Sequence, residues 1–213
     1  MARGSFLDPA RAGADGLVGV GLDLTPERLL EAYSRGIFPF YDETTPILWW
    51  SPDPRAIFEM DGLHVSRRLA RTVRSGRFAV TFDRVFTEVV RGCAHRPGEG
   101  SWITADMIDA YTRLHELGHA HSVEVWHEGQ LAGGLYGVTV GGLFAGESMF
   151  THVRDASKVA LVHCMERLRQ RGFQLFDVQF LNEHTSSLGA VEIPRREYLA
   201  RLRKAVARDA RFV

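Results

Sequence analysis

The constraint that most limits how this chain can fold is a change of period at His121. From there, residues 122–126, 131–138 and 143–150 read as strands, separated by Glu128-Gly129 and Gly141-Gly142, both short hairpin signals. Residues 156–171 then carry helical spacing, with Val159, Leu161, Val162, Met165 and Leu168 available for burial and Gly172 to close the helix. Residues 174–180 return to strand alternation. Three antiparallel strands in succession, a long helix and a further strand predict an α+β chain with a mostly antiparallel sheet.

Two short words in this frame carry polar groups where a core is expected. In Gly146-Glu147-Ser148-Met149-Phe150 a carboxylate sits among small and apolar residues, and in Phe176-Asp177-Val178-Gln179-Phe180 an acid and an amide lie two apart. In a strand that spacing puts Asp177 and Gln179 on one face and the aromatic side chains on the other. An acid and an amide inside an apolar strand are costly unless paired or used. One such pair reads as a satisfied core hydrogen bond. Three polar groups converging from segments that should be sheet neighbours read as a site.

Upstream, the residues up to Val20 are rich in Gly, Ala and Arg and read as a loose leading segment. Thr25-Pro26-Glu27 starts a helix that Gly36 ends, with Leu29, Leu30 and Tyr33 as its apolar stripe. Gly36-Ile37-Phe38-Pro39-Phe40-Tyr41 and Ile47-Leu48-Trp49-Trp50-Ser51-Pro52-Asp53-Pro54-Arg55 are dense in aromatics and broken by proline, so no regular helix is expected. They suit a small lobe's core or one wall of a cleft, where base stacking and apolar recognition both want such surface. Residues 64–77 read as a basic helix with Val65, Leu69 and Val73 inward, 78–82 as a strand, 83–93 as a helix and 95–101 as a loop. Trp102-Ile103-Thr104 leads into a helix capped by Thr104, with Met107, Ile108, Tyr111 and Leu114 inside. Residues 195–207 form the last helix.

The 213 residues are 45% hydrophobic and 24% charged, enough for one good core or a core plus a small lobe. No run approaches the roughly 18 apolar residues of a membrane span, and the first residues carry no secretory signal. Cys93 and Cys164 are far apart and in no C-x-x-C pair, so a reduced, cytoplasmic protein is expected, with no membrane partner. The formal net charge is zero, yet Arg67, Arg68, Arg71, Arg74 and Arg77 follow one another with no acid among them. A second basic group holds Arg195, Arg196, Arg201, Arg203, Lys204, Arg208 and Arg211. Stripes on a neutral protein argue against indiscriminate nucleic-acid binding and permit a docked polyanion; solvated helix faces are the plain alternative.

His115-Glu116-Leu117-Gly118-His119 is a literal H-E-x-x-H string. Zinc peptidases need both histidines on one helical turn, with the glutamate as base. Gly118 is a helix stop, and Ala120-His121-Ser122-Val123 already alternates as a strand, so His119 is expected beyond the helix and no metal site is expected, although His121 offers a third ligand. The strand meander, long helix and further strand resemble the N-acetyltransferase-like fold. An acetyl-coenzyme A site, however, wants a glycine-rich turn at the start of that helix, and Arg154-Asp155-Ala156-Ser157-Lys158 provides an acid and no glycine.

A more specific resemblance covers the chain from about Gly16 to about Leu202. Gly36-Ile37-Phe38-Pro39, Trp49-Trp50-Ser51-Pro52-Asp53-Pro54-Arg55, Trp102-Ile103-Thr104, His119-Ala120-His121-Ser122-Val123-Glu124-Val125-Trp126, Gly133-Gly134-Leu135-Tyr136-Gly137, Gly146-Glu147-Ser148-Met149-Phe150, Ala156-Ser157-Lys158 and Ser187-Leu188-Gly189-Ala190 occur in order. Together they resemble the bacterial leucyl/phenylalanyl-tRNA–protein transferase family. The resemblance implies a small N-terminal α/β domain over residues 1–55, forming one wall of the cleft, and an N-acetyltransferase-like catalytic domain over 56–213. It implies transfer of Leu or Phe, and also Met, from Leu-tRNA or Phe-tRNA to proteins with N-terminal Arg or Lys, tagging them for degradation. No cofactor or metal is implied, and a monomer is expected.

By the same resemblance Asp177 and Gln179 match the catalytic pair and Glu147 a nearby acid. Leu135, Phe144, Met149 and Phe176 fall where the family lines its aminoacyl pocket, and Phe40, Trp102 and Tyr111 where it holds the terminal adenosine. Phe40 stands where tryptophan is usual and Leu22 where glycine is usual. Arg67, Arg68, Arg71 and Arg74 are the residues expected to meet tRNA phosphates. The expected chemistry is aminolysis of an ester: Gln179 accepts a hydrogen bond from the attacking amine, Asp177 orients Gln179, and Glu147, with Asp177, faces the acceptor's cation. The competing reading is a non-catalytic RNA-binding module, with a zinc peptidase behind it.

Overall fold

The computed structural model describes residues 5–13, 15–95 and 102–213. Ahead of Arg55 the aromatic words build a small antiparallel sheet of β1 (Leu17–Val20), β2 (Phe38–Pro39) and β3 (Leu48–Trp50), in the order β1-β3-β2, beside helix α1 (Pro26–Ser34). The leading segment is thus not loose throughout. Leu17, Gly19 and Val20 pair with Trp50, Trp49 and Leu48, because Trp49 needs cover on every side. Its indole is fully buried, lies edge-on to Phe6 at 4.9 Å and donates to the Gly21 carbonyl at 2.9 Å. Proline at the first turn starts α1, and Gly36, at φ 78°, lets the chain turn out of it.

The rest of the chain is β4 (Arg55–Phe58), α2 (Arg67–Arg74), β5 (Ala79–Phe82), α3 (Phe86–Ala94), α4 (Ala105–Glu116), β6 (Ala120–His127), β7 (Gln130–Val140), β8 (Leu143–Thr151), α5 (Ala156–Gln170), β9 (Leu175–Gln179), α6 (Glu183–Ser187), β10 (Val191–Ile193) and α7 (Arg195–Val206). Seven strands form one sheet in the order β10-β4-β9-β8-β7-β6-β5, antiparallel except for β8 beside β9. This is the α+β class expected, with the predicted meander in β6, β7 and β8. The expected loop over 95–101 lies outside the described residues from 96 onward.

Helices cover both faces. Helix α5 buries Val159, Leu161, Met165 and Leu168 in one core with Phe58, Phe144 and Phe176. It can lie this close because β7 carries Gly133, where a Cβ would stand 2.7 Å from that of Ala156. Helices α1, α3 and α4 pack on the other face around Tyr33, Phe86, Tyr111 and Tyr136, and α7 covers Ile57, Leu143 and Leu175 there. Helix α2 begins only at Arg67, where Ser66 caps it by accepting from the Leu69 amide at 3.2 Å. Val65 therefore stays outside the helix and exposed, against expectation, and Leu69 is its buried residue.

Candidate active site

Strands β8 and β9 run side by side only as far as the pairs Leu143–Leu175, Phe144–Phe176 and Ala145–Asp177. Just beyond, each strand carries a bulge on its other flank. In β8, Gly137 faces Gly146 and Tyr136 faces Ser148, so Glu147 is the extra residue. In β9, Ile57 faces Asp177 and Ala56 faces Gln179, so Val178 is the extra residue. A bulge bends its strand and re-aims the neighbouring side chains. Two at the same level part the strands and open the sheet where the polar words stand. Among the residues lining the opening are Leu135, Gly146, Glu147, Met149, Phe176 and Gln179, around a cavity of about 780 Å³.

Gln179 closes β9 at φ 58°, left-handed backbone that a side chain disfavours by about 1 kcal/mol or more. Asp177 holds it there: Oδ1 accepts the Gln179 amide at 3.0 Å. The Gln179 side chain then gives its Nε2 to Glu147 Oε1 at 3.1 Å. The other oxygen of Glu147 accepts from the Tyr111 hydroxyl at 3.1 Å, and Tyr111 meets the Tyr33 hydroxyl at 2.6 Å. Burial pushes the Glu147 carboxyl up to about 7, against the pull of the Tyr33 and Tyr111 hydroxyls toward the charged form. Burial, and then the Glu147 charge, raise both tyrosines well above their usual value.

Asp177 itself does not line the cavity. It is 1% exposed, and the Arg55 guanidinium grips it with Nε to Oδ1 at 2.8 Å and Nη2 to Oδ2 at 2.6 Å. The Tyr198 hydroxyl adds a donor to Oδ2 at 2.8 Å. Arg55 in turn gives Nη1 to the Gly36 carbonyl at 3.0 Å and lies between the Phe38 and Tyr198 rings, 4.7 and 4.4 Å from their centroids. Burial opposes its charge, but Asp177 and Tyr198 outweigh that and raise its pKa.

The other expected site residues separate into those on the cavity and those behind it. Leu135, Met149 and Phe176 line it, whereas Phe144 is fully buried and meets the Phe176 ring edge-on at 5.1 Å from the rear. Phe40 and Trp102 line the mouth with ring centroids 5.1 Å apart; Tyr111 is fully buried and reaches the site through Glu147. Arg67, Arg68, Arg71 and Arg74 are exposed on α2, away from this cavity's lining, and Arg68 pairs with Asp155 at 3.0 Å. The H-E-x-x-H string is split as expected: α4 stops at Glu116, Gly118 turns at φ 80°, and His119 lies past the helix. His121 is held by Asp83 at 2.7 Å, and the described residues contain no group of three ligating side chains placed for a metal ion.

Both parts of the chain that build this opening match known sequence. The model described as leucyl/phenylalanyl-tRNA protein transferase matches residues 57–203, and the model of that family's N-terminal domain matches residues 22–53. The chain belongs to the leucyl/phenylalanyl-tRNA–protein transferase family. A protein of that name from Anaeromyxobacter sp. (strain Fw109-5) is 59% identical over 207 residues, 96% of this chain and 88% of its own. One from Citrobacter koseri is 54% identical over 207 residues, 95% of this chain and 88% of its own. Among solved structures, a GCN5-related N-acetyltransferase from Kribbella flavida superposes with TM-score 0.42 at 10% identity, over 76% of this chain and 58% of that one. So distant a likeness adds nothing to the topology described above.

Within this member of the leucyl/phenylalanyl-tRNA–protein transferase family, Arg55 falls in the short gap between the two matched segments. It ends the Trp49–Arg55 word of the sequence, whose spacing assigns it no role. Its signal was an arginine directly before Ala56-Ile57-Phe58, a run too apolar to leave a cation unpartnered. Tyr33 and Tyr198 were missed because apolar spacing does not show which tyrosine hydroxyls will meet a carboxylate. Phe180, the last residue of the Phe176–Phe180 word, and Glu183, three residues past it, also line the cavity; alternation places Phe180 on the aromatic face without a site role, and nothing in it marks Glu183.

Proposed function

We propose that this chain is an aminoacyltransferase that moves Leu or Phe, and also Met, from aminoacyl-tRNA to the N-terminal amino group of proteins beginning with Arg or Lys, so tagging them for degradation. It acts as a monomer in the cytoplasm, with residues 1–55 as one wall of the cleft and 56–213 as the catalytic domain. The family membership gives the reaction class. The observation that carries the mechanism is the Gln179 amide, whose nitrogen is committed to Glu147 at 3.1 Å, leaving its carbonyl oxygen as the end able to serve a substrate.

The acceptor amine attacks the ester carbonyl carbon, a C–N bond forms, the bond to the terminal ribose oxygen breaks, and the amine's proton ends on that hydroxyl. The ester is already activated, so positioning supplies much of the acceleration. The Gln179 carbonyl oxygen accepts a hydrogen bond from the attacking amine, and Asp177 sets the Gln179 backbone. Leu135, Met149 and Phe176 take the donor's apolar side chain, backed by Phe144. Phe40 and Trp102 receive the terminal adenosine, with Tyr111 steadying Glu147 beneath. Arg67, Arg71 and Arg74 on α2, with Arg68, attract the phosphates. Incubating labelled Phe-tRNA with an Arg-starting peptide tests the reading: label must move to the peptide. An RNA-binding module would bind the tRNA and transfer nothing. Full activity in Asp177→Asn would overturn the role given to Asp177.

A further inference from the structure

An acceptor chosen for a positive side chain needs a carboxylate free to meet it. Of the acids in this region, Asp177 is spent: it is 1% exposed, off the cavity lining, and bound by Arg55 and Tyr198. Glu147 lines the cavity, but Tyr111 and Gln179 each occupy one of its oxygens. A guanidinium there would have to displace the amide that faces the reacting amine. Among the described residues, the remaining acid on the cavity wall is Glu183, the first residue of α6. It is exposed, and within the described residues no ion pair or side-chain hydrogen bond takes up its carboxylate. It stands four residues beyond Gln179, a stretch of chain that cannot span more than about 14 Å. Asn182, capping α6 through its bond from the Thr185 amide at 2.8 Å, fixes where that residue starts.

We propose that Glu183 reads the cation of the acceptor's first residue, while Glu147 and Asp177 hold Gln179 in place. This rests on the transferase reading and divides the acids by task. A long side chain is needed to reach from an amine at Gln179 to a carboxylate on the cavity edge, which suits arginine and lysine. The contact is solvent-facing, so it selects without demanding that a charge be desolvated.

The test compares otherwise identical peptides beginning with arginine and with citrulline, its uncharged isostere, at fixed Phe-tRNA with the full chain. The wild type should favour arginine, and the advantage should shrink as salt is raised. Glu183→Gln should raise the KM for the arginine peptide by about three- to tenfold, to that of the citrulline peptide, with the loss in acceptor KM rather than donor KM. Glu183→Arg should invert the preference. A Glu183→Gln variant that keeps the full arginine advantage overturns the assignment while transfer itself stands. A wild type that transfers to neither peptide overturns the transferase reading, and this assignment with it.

Discussion

Arg55 and Asp177, 122 residues apart, meet through two hydrogen bonds at 2.8 and 2.6 Å with both side chains 1% exposed. Desolvating two charges costs several kcal/mol each, and bidentate geometry with Tyr198 on the spare lone pair offsets that. Removing one partner leaves the other charge uncompensated. Arg55→Met or Asp177→Asn should each cost about 3–5 kcal/mol of stability, and the double variant less than their sum. Urea denaturation of the three proteins checks this.

A second prediction follows from Glu147. Its folded value, about 7, lies above the usual carboxylate value of 4.5. Between those limits the folded protein holds a proton that the unfolded chain has released, so stability is full below about pH 4.5 and falls as pH rises through 7. Glu147→Gln removes that titration. Relative to wild type it should gain about 1–3 kcal/mol between pH 5 and pH 8, read by denaturation at both. An unchanged difference would mean that the carboxyl is not desolvated.

The donor pocket yields a third. Phe176→Ala should cost about 3–5 kcal/mol, since Phe144 loses its edge-on partner and a cavity opens. In transfer assays the same change should reduce Leu transfer while the preference among acceptor peptides stays as in wild type. Losing acceptor preference instead would place that subsite against Phe176.

Salt dependence addresses α2. Arg68 is engaged by Asp155 at 3.0 Å, so among the α2 arginines Arg67, Arg71 and Arg74 are the ones in no ion pair within the described residues. Neutralising two of them should lower the slope of log affinity against log salt by about 2, equally for Leu-tRNA and Phe-tRNA. An unaltered slope would leave the stripe a solvated helix face.

Long, periodic segments were legible in the sequence. The meander, α1, α4, α5 and α7 announced themselves by spacing, caps and terminal glycines such as Gly118 and Gly172. The pieces that periodicity missed are short and exist because of distant partners: β1 forms against Trp49, and β10 pairs residues 191–193 with β4. Alternation correctly marked Asp177 and Gln179 as misplaced in a core strand. It assumes a regular strand, however, so the bulges at Glu147 and Val178 and the positive φ at Gln179 left no trace in it. The division of labour among Glu147, Asp177 and Arg55 depends on which strands neighbour each other, and residue spacing along one strand does not encode that.

The contacts of Arg55 reach further than the strand it steadies. One nitrogen holds Gly36, at the end of α1, while the others hold β9. Arg195, at the start of α7, likewise donates to the Ser51 carbonyl at 2.8 Å and the Ala12 carbonyl at 2.8 Å, and its amide donates to Asp53 at 2.9 Å. Early and late chain are therefore joined by two arginines, each with a guanidinium that finds hydrogen-bond partners in the other half. Heat or denaturant should find no stable half-molecule to leave behind, and protease nicking or truncation at either end should weaken residues at the other.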